Sequence, residues 1–205
     1  MGYTEVKISG WVKGDFRFRA DLHQYGLQFT LLQSPPDRGE DDSPMICLAY
    51  GEKGMKVLEA ARRNVPIILD GFFRIEETES PLTGKDCRMT IMEAYDVVIP
   101  ENEHMAVNEA LADGWVRGIT RHIEPGKGIY YTFVISADGR ANIGEECVEC
   151  YASSEDADCF YQEYLKNPET EFEVTGYVDT GRHPDGKEFV YLYARYFKAY
   201  IQKQK

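Results

Sequence analysis

The sequence predicts an all-β protein made of two tandem five-stranded Greek-key barrels, each with one helix between its third and fourth strands. Three observations predict it. The motif Gly10-Trp11-Val12-Lys13-Gly14 returns as Gly114-Trp115-Val116-Arg117-Gly118, 104 residues later (115 − 11 = 104). The apolar segments after each copy follow in the same order, and each copy holds one central stretch of helical spacing. A long internal period implies a tandem array, so function belongs on a surface that both copies share.

Each element can be placed in turn. The motif lies in a first strand, and Leu27 to Leu32 or Tyr130 to Ile135 supplies the second. Met45 to Tyr50, set against Glu146 to Tyr151, supplies the third. In the first helix Met55, Val57, Leu58 and Ala61 recur near helical spacing, with Lys56, Glu59, Arg62 and Arg63 for the wet side. The second helix offers Ala157, Phe160, Tyr161, Tyr164 and Leu165 behind an acidic first turn of Glu155, Asp156 and Asp158, which suits the positive end of the helix dipole. Asn64 and Asn167 are natural stops, and Pro66 and Pro168 discourage continuation. A strand near Gly71 or Gly176, a polar hairpin holding Gly84-Lys85 or Gly186-Lys187, and a strand holding Tyr95 or Tyr196 complete each copy.

Length and composition fit. The 205 residues, 43% hydrophobic, divide into an expected domain at 1–104 and a second at 105–205, each able to bury a modest core. No run approaches the roughly 20 apolar residues of a membrane span, and the N-terminus lacks a basic flank and apolar signal core, so a soluble cytoplasmic protein without a membrane partner is expected. Five cysteines are an odd number, and reduced thiols are expected.

Charge sets a condition on function. Residues 1–104 hold 12 Lys and Arg against 18 Asp and Glu, and residues 105–205 hold 11 against 17, so each half carries −6 of the total −12. Such a body repels phosphate unless its cations are sorted onto one face, within a Debye length of about 8 to 10 Å of the ligand. The first strand suggests that sorting. Side chains alternate along a strand; Val6, Ile8, Val12, Phe16 and Phe18 then face the core, and Trp11, Lys13, Arg17 and Arg19 face the other way. The second copy repeats this with Trp115, Arg117 and Arg121. An indole beside cations is what a base-stacking platform needs. The alternative is that Trp11 and Trp115 pack under a neighbouring strand or seal the contact between the domains.

Five strands with one helix between the third and fourth is the order of the OB-fold, whose sheet face and loops bind single strands or sugars. The run Met45-Ile46-Cys47-Leu48-Ala49-Tyr50-Gly51, the helix to Asn64, Ile67-Ile68-Leu69-Asp70-Gly71 and the hairpin holding Gly84-Lys85 together resemble the core of the bacterial single-stranded DNA-binding protein (SSB) family. Phe29-Thr30-Leu31 and Thr132-Phe133-Val134 are similar to that family's second strand. The resemblance implies base stacking at Tyr50 and Tyr151, near the end of strand three. The tryptophans the family carries elsewhere are replaced in the first copy by Ser34-Pro35-Pro36, Pro44-Met45 and Glu77-Thr78-Glu79. SSB-like domains commonly work in fours, so a homodimer of two chains is expected.

Basic residues add candidates. Arg74, Lys85 and Arg88 flank the first hairpin, and Arg182, His183 and Lys187 the second; a hairpin carrying cations could close over a nucleic acid strand, the alternative being a solvated turn around Pro184-Asp185-Gly186. The last strand places Phe189, Tyr191 and Tyr193 on one face and Val190, Leu192 and Ala194 on the other, which asks for a second burial, against protein or against bases. The loop from Ser34 to Pro44 carries an acidic tract that would mimic phosphate and shield the groove. The linker from Pro100 to about Asn108 is short, so both domains can act on one ligand.

Catalysis is not indicated. Cys147-Val148-Glu149-Cys150 is a CxxC on a strand, where alternation sends the sulfurs to opposite faces, and the histidines His23, His104, His122 and His183 are scattered, so neither a metal nor another cofactor is expected. The sequence therefore points to binding of single-stranded DNA without strong sequence preference. The rival is a protein-protein module that assembles with replication or conjugation proteins through its acidic surface.

Overall fold

The structure, a computed structural model, describes residues 3–20, 25–33, 44–79, 86–101, 106–126, 128–137, 147–153, 155–182 and 188–200; the side chains at 74–79, 86–89, 182, 188 and 189 lie outside that description. The order is β1 (Tyr3–Ala20), β2 (Tyr25–Leu32), β3 (Met45–Tyr50), α1 (Glu52–Arg63), β4 (Ile67–Glu79) and β5 (Asp86–Val98). It repeats as β6 (Asn108–Glu124), β7 (Gly128–Ser136), β8 (Cys147–Ala152), α2 (Glu155–Lys166), β9 (Glu171–Arg182) and β10 (Glu188–Tyr200). Strands β1 to β5 close on themselves in the order β1-β2-β3-β5-β4-β1, and β6 to β10 close as β6-β7-β8-β10-β9-β6. Within each ring one pair is parallel, β3 with β5 and β8 with β10. These are two OB-fold barrels in tandem.

One antiparallel pairing joins them. β1 runs beside β6, with Val6 opposite Ala110 and Lys7 opposite Glu109. Val6 and Ala110 are 104 residues apart, the same interval as the repeated motif (110 − 6 = 104). Each barrel therefore meets the other through the same strand at the same position, which is the geometry of a two-fold interface within one chain.

The repeated motif is explained by backbone crowding. β1 must serve both β4 and β2, and it bends onto β2 at Gly10; a Cβ there would stand 2.3 Å from the Leu32 carbonyl oxygen. At Gly114 a Cβ would stand 2.2 Å from the Ser136 carbonyl oxygen. No side chain can occupy either place without moving backbone, so the first glycine of each motif is structural.

The core follows strand alternation. Val6, Ile8, Phe29, Leu31, Cys47, Ala49, Leu69 and Phe73 fill the first barrel, and Tyr131, Phe133, Ile135, Val148, Cys150, Val174 and Leu192 the second. Cys147 stands opposite Ser136 and Cys150 opposite Phe133, on opposite faces of β8. Burial pushes the Cys47 and Cys150 thiols above their usual range, so both stay protonated and unreactive.

Three expected placements differ. Phe18 is 75% exposed although Leu27, opposite it on β2, is buried in the core. In α1 the buried positions are Gly54, Val57 and Ala60, while Met55 is exposed, since a spacing of three selects the stripe that meets the barrel end. Leu165 at the end of α2 is exposed, and Ala157 and Phe160 carry the contact. Asn64 ends α1 in the left-handed conformation, its N–H bonded to Ala61 O at 3.2 Å. The acidic loop at 34–43, together with Lys85, His183 and Lys187, lies outside the described residues. Among the described residues no helix is long and apolar enough to cross a membrane.

Candidate functional site

Pairing registers show which residues share the outer face of each barrel. In the second barrel Phe133, Cys150, Leu192 and Val178 are core, so the row beside them must point outward. That row crosses all five strands: Thr120 on β6, Thr132 on β7, Tyr151 on β8, Tyr193 on β10 and Tyr177 on β9. His122 and Tyr130 form the next rung.

The rings on this face touch in sequence. His122 stacks on Tyr130 with centroids 4.6 Å apart and planes 9° from parallel, and Tyr130 stacks on Tyr151 at 5.1 Å. Tyr151 meets Tyr193 at 5.5 Å and Tyr191 at 5.8 Å, and Tyr193 stacks on Tyr177 at 4.9 Å. The Arg195 guanidinium lies 4.7 Å from the Tyr177 ring centroid. All six rings are half-buried, held by the sheet on one side and open on the other. Hydrogen bonds fix several of them. His122 Nε2 lies 2.8 Å from Thr132 Oγ1, Tyr193 OH lies 2.7 Å from Ser153 Oγ, and Tyr191 OH donates to Asp179 Oδ2 at 3.0 Å. Burial, with the nearby Asp179 carboxylate second, pushes the Tyr177 and Tyr191 hydroxyls above the usual phenol range, so they remain donors at neutral pH.

This face differs from the expected one because of a bulge. The register shifts by one residue between Val116 and Ile119, where Gly118 adopts φ 76°. One inserted residue reverses the side-chain alternation beyond it. Arg121, expected beside Trp115, instead stands opposite Tyr131 and donates from Nε to its hydroxyl at 3.4 Å. That hydroxyl in turn donates to Asp158 Oδ1 on α2, so Arg121 belongs to a strand-helix link. His122 takes its place on the outer face. Gly118 was the signal in the sequence.

In the first barrel the shift between Lys13 and Arg17 is two residues, which preserves alternation. Trp11, Lys13, Arg17 and Arg19 therefore share one face, opposite Leu32, Thr30, Gln28 and Gly26. Lys13 and Arg17 are exposed; Trp11 and Arg19 are half-buried. Tyr50 lies opposite Gly26 on the same face, and its ring lies so close over Gly26 that a Cβ there would meet Cε1 at 2.9 Å. In the second barrel Trp115, opposite Ser136, and Arg117 are half-buried. Arg74, Arg88 and Arg182 sit on β4, β5 and β9, with side chains outside the description.

The registers also correct the equivalence of Tyr50 and Tyr151. Phe29 pairs with Cys47 and Phe133 with Cys150, so Leu48 is the counterpart of Tyr151 and Ser153 the counterpart of Tyr50. Where the barrels meet, a groove of about 840 Å³ begins at Tyr177 and Arg195 and reaches Tyr95 and Lys7. Tyr95 and Arg195 are matching residues, each the extra one in a bulge of the last strand.

No sequence-family model matches the chain, and comparison with curated proteins also gives no match. Solved structures do match. The single-stranded DNA binding protein from Thermus aquaticus aligns with a TM-score of 0.69 at 14% identity, over 100% of this chain and 96% of that one. A deletion variant of the same protein aligns with a TM-score of 0.70 at 13% identity, covering 100% and 97%. The fold is that of a bacterial SSB. At these identities the likeness is one of architecture, tandem barrels included, and the residues on the faces must be read on their own chemistry.

Proposed function

We propose that this protein binds single-stranded DNA without strong sequence preference, on the outer faces of its two barrels. The observation that supports this reading is the run of six rings from His122 to Tyr177, outward-facing and in ring-to-ring contact, three of the contacts stacked and two tilted. Every base has a π-face, so stacking tolerates any sequence and contributes about 1 to 3 kcal/mol per base. Rings held by one another lose little side-chain freedom when a ligand arrives, which favours affinity. Phosphates would be held by Lys13, Arg17 and Arg19 on the first barrel and by Arg195 at the groove, against the opposing charges of Asp15 and Glu93 on the first face and of Glu5, Asp70 and Glu109 in the groove. Arg74, Lys85, Arg88, Arg182 and Lys187 would add cations from the hairpins, and two chains would bring four barrels together in the working unit. The role is binding, with no chemical step.

The test is titration with oligo-dT at low and moderate salt, read by quenching of the half-buried Trp11 and Trp115. Saturable quenching with an affinity that falls as salt rises is the expected result. No change at micromolar protein ends this reading.

A second reading has its own observation. The groove between the barrels holds Glu5, Asp70 and Glu109 beside Tyr95 and Tyr196, a lining suited to a basic segment of a replication or conjugation protein. Pull-down with a Glu5→Lys/Glu109→Lys variant as control would separate such docking from DNA-bridged association.

A further inference from the structure

We infer that the two barrels divide one strand of DNA between them, the second reading bases by stacking and the first holding the sugar-phosphate backbone by charge. This rests on the proposed function and assigns unequal work to the two copies. The pairing registers allow a position-by-position comparison of the two outer faces. The five-strand row of the second barrel, Thr120, Thr132, Tyr151, Tyr193 and Tyr177, corresponds in the first to Arg17, Gln28, Leu48, Glu93 and Phe72. The rung of His122 and Tyr130 corresponds to Arg19 and Gly26.

At the centre of the row the exchanges run one way, while at its end Phe72 keeps a ring where the second barrel has Tyr177. Tyr130, Tyr151 and Tyr193, the consecutive middle of the stack, are replaced by a glycine, an aliphatic side chain and a carboxylate. Leu48 is fully buried and offers no surface, and Glu93 puts a negative charge where a base would lie. The one tyrosine that the first barrel adds, Tyr50, folds over Gly26. In return the first barrel has Arg17 and Arg19 where the second has Thr120 and His122, with Lys13, the last paired residue before the bulge, on the same face. Stacking successive bases is served by a continuous run of rings, and the second face carries one from His122 to Tyr177. Phosphate neutralisation needs clustered cations, which the first strand of the first barrel supplies.

Two probes separate the roles: an oligo-dT and an abasic deoxyribose-phosphate oligomer of equal length, each titrated against the full chain over a range of salt. Wild type should prefer oligo-dT. Tyr151→Ala/Tyr193→Ala should erase that preference, by about 10-fold or more for each lost stack, and leave the salt slope unchanged. Tyr151→Phe/Tyr193→Phe, which keeps the rings, should restore it. Arg17→Ala/Arg19→Ala should weaken both oligomers equally and reduce the salt slope by about 1.4, at roughly 0.7 per phosphate contact on a single strand. A wild type that binds neither oligomer overturns the proposed function and this division with it. A wild type that binds, with tyrosine variants that change the slope or arginine variants that change the preference, overturns the division alone.

Discussion

His122 lies flat on Tyr130 at 4.6 Å, while its neighbour Arg121 points through the sheet's other side to the hydroxyl of Tyr131. Two adjacent residues thus serve two different ends. His122→Ala removes the terminal ring of the stack and should weaken oligo-dT binding by about 1 to 3 kcal/mol. Arg121→Ala should leave affinity within twofold and instead lower stability by about 1 kcal/mol through the lost hydrogen bond to Tyr131. Fluorescence titration and thermal melting of both variants check the pair, and the opposite pattern would mean that alternation continues unbroken through Gly118.

The two glycines of the repeated motif should behave differently from each other. Gly10→Ala and Gly114→Ala each drive a Cβ into a backbone carbonyl, which can relieve the clash only by moving a strand, so each should cost about 3 kcal/mol or more. Gly14→Ala meets nothing within 4 Å and should change stability by less than about 0.5 kcal/mol. Urea denaturation of the three variants measures this directly. Equal effects would remove the steric account of the motif.

These contrasts mark how far the sequence could be read. The duplication, the strand order, the helices and the stop at Asn64 were legible because glycine, asparagine and apolar spacing act locally. The faces were legible only as far as the first inserted residue. A bulge of two on β1 left Arg17 and Arg19 where alternation puts them; a bulge of one on β6 moved Arg121 away and brought His122 in. Tyr50 and Tyr151 look equivalent because each nearly ends its strand, yet register depends on the partner strand, and it pairs Tyr151 with Tyr193. Tyr130 and Tyr177 carry no local signal, since Tyr130 meets Tyr151 21 positions on (151 − 130) and Tyr177 meets Tyr193 16 positions on (193 − 177).

A carboxylate pair links β6, one of the strands that join the barrels, to β9. Asp113 lies opposite Glu173 on one side and Tyr3 on the other, and its buried Oδ1 has no hydrogen-bond partner among the described residues. Burial first, then the charges of Glu171 and Glu173, raise the Asp113 carboxyl above its usual value. Its contribution to stability is therefore full below its unfolded pKa and is lost as pH rises through the folded one. Glu173 runs the other way. The 2.5 Å hydrogen bond from Tyr200 holds it low, so its contribution is present above the unfolded pKa and is lost as pH falls through the folded one. Asp113→Asn should raise the melting temperature near neutral pH, by about 1 kcal/mol of relieved repulsion between opposed like charges, and the gain should shrink toward acid pH. A gain that is constant across pH would contradict the repulsion.

Arg195 stands at the point where the stacked rings reach the groove, and its matching residue in the first barrel is Tyr95, which is 53% exposed. If DNA follows the rings toward the junction, the guanidinium over Tyr177 is placed both to cap the stack and to meet a phosphate. Arg195→Gln should then lower affinity and reduce the salt slope by about 0.7, the loss of one phosphate contact on a single strand. Tyr95→Ala removes a ring without a charge, so the slope should stay fixed whatever happens to affinity. Because both residues occupy the same bulge of the last strand, the two variants test the same place in each barrel with opposite chemistry. A salt slope unchanged by Arg195→Gln would mean that the bound strand leaves the rings before the groove.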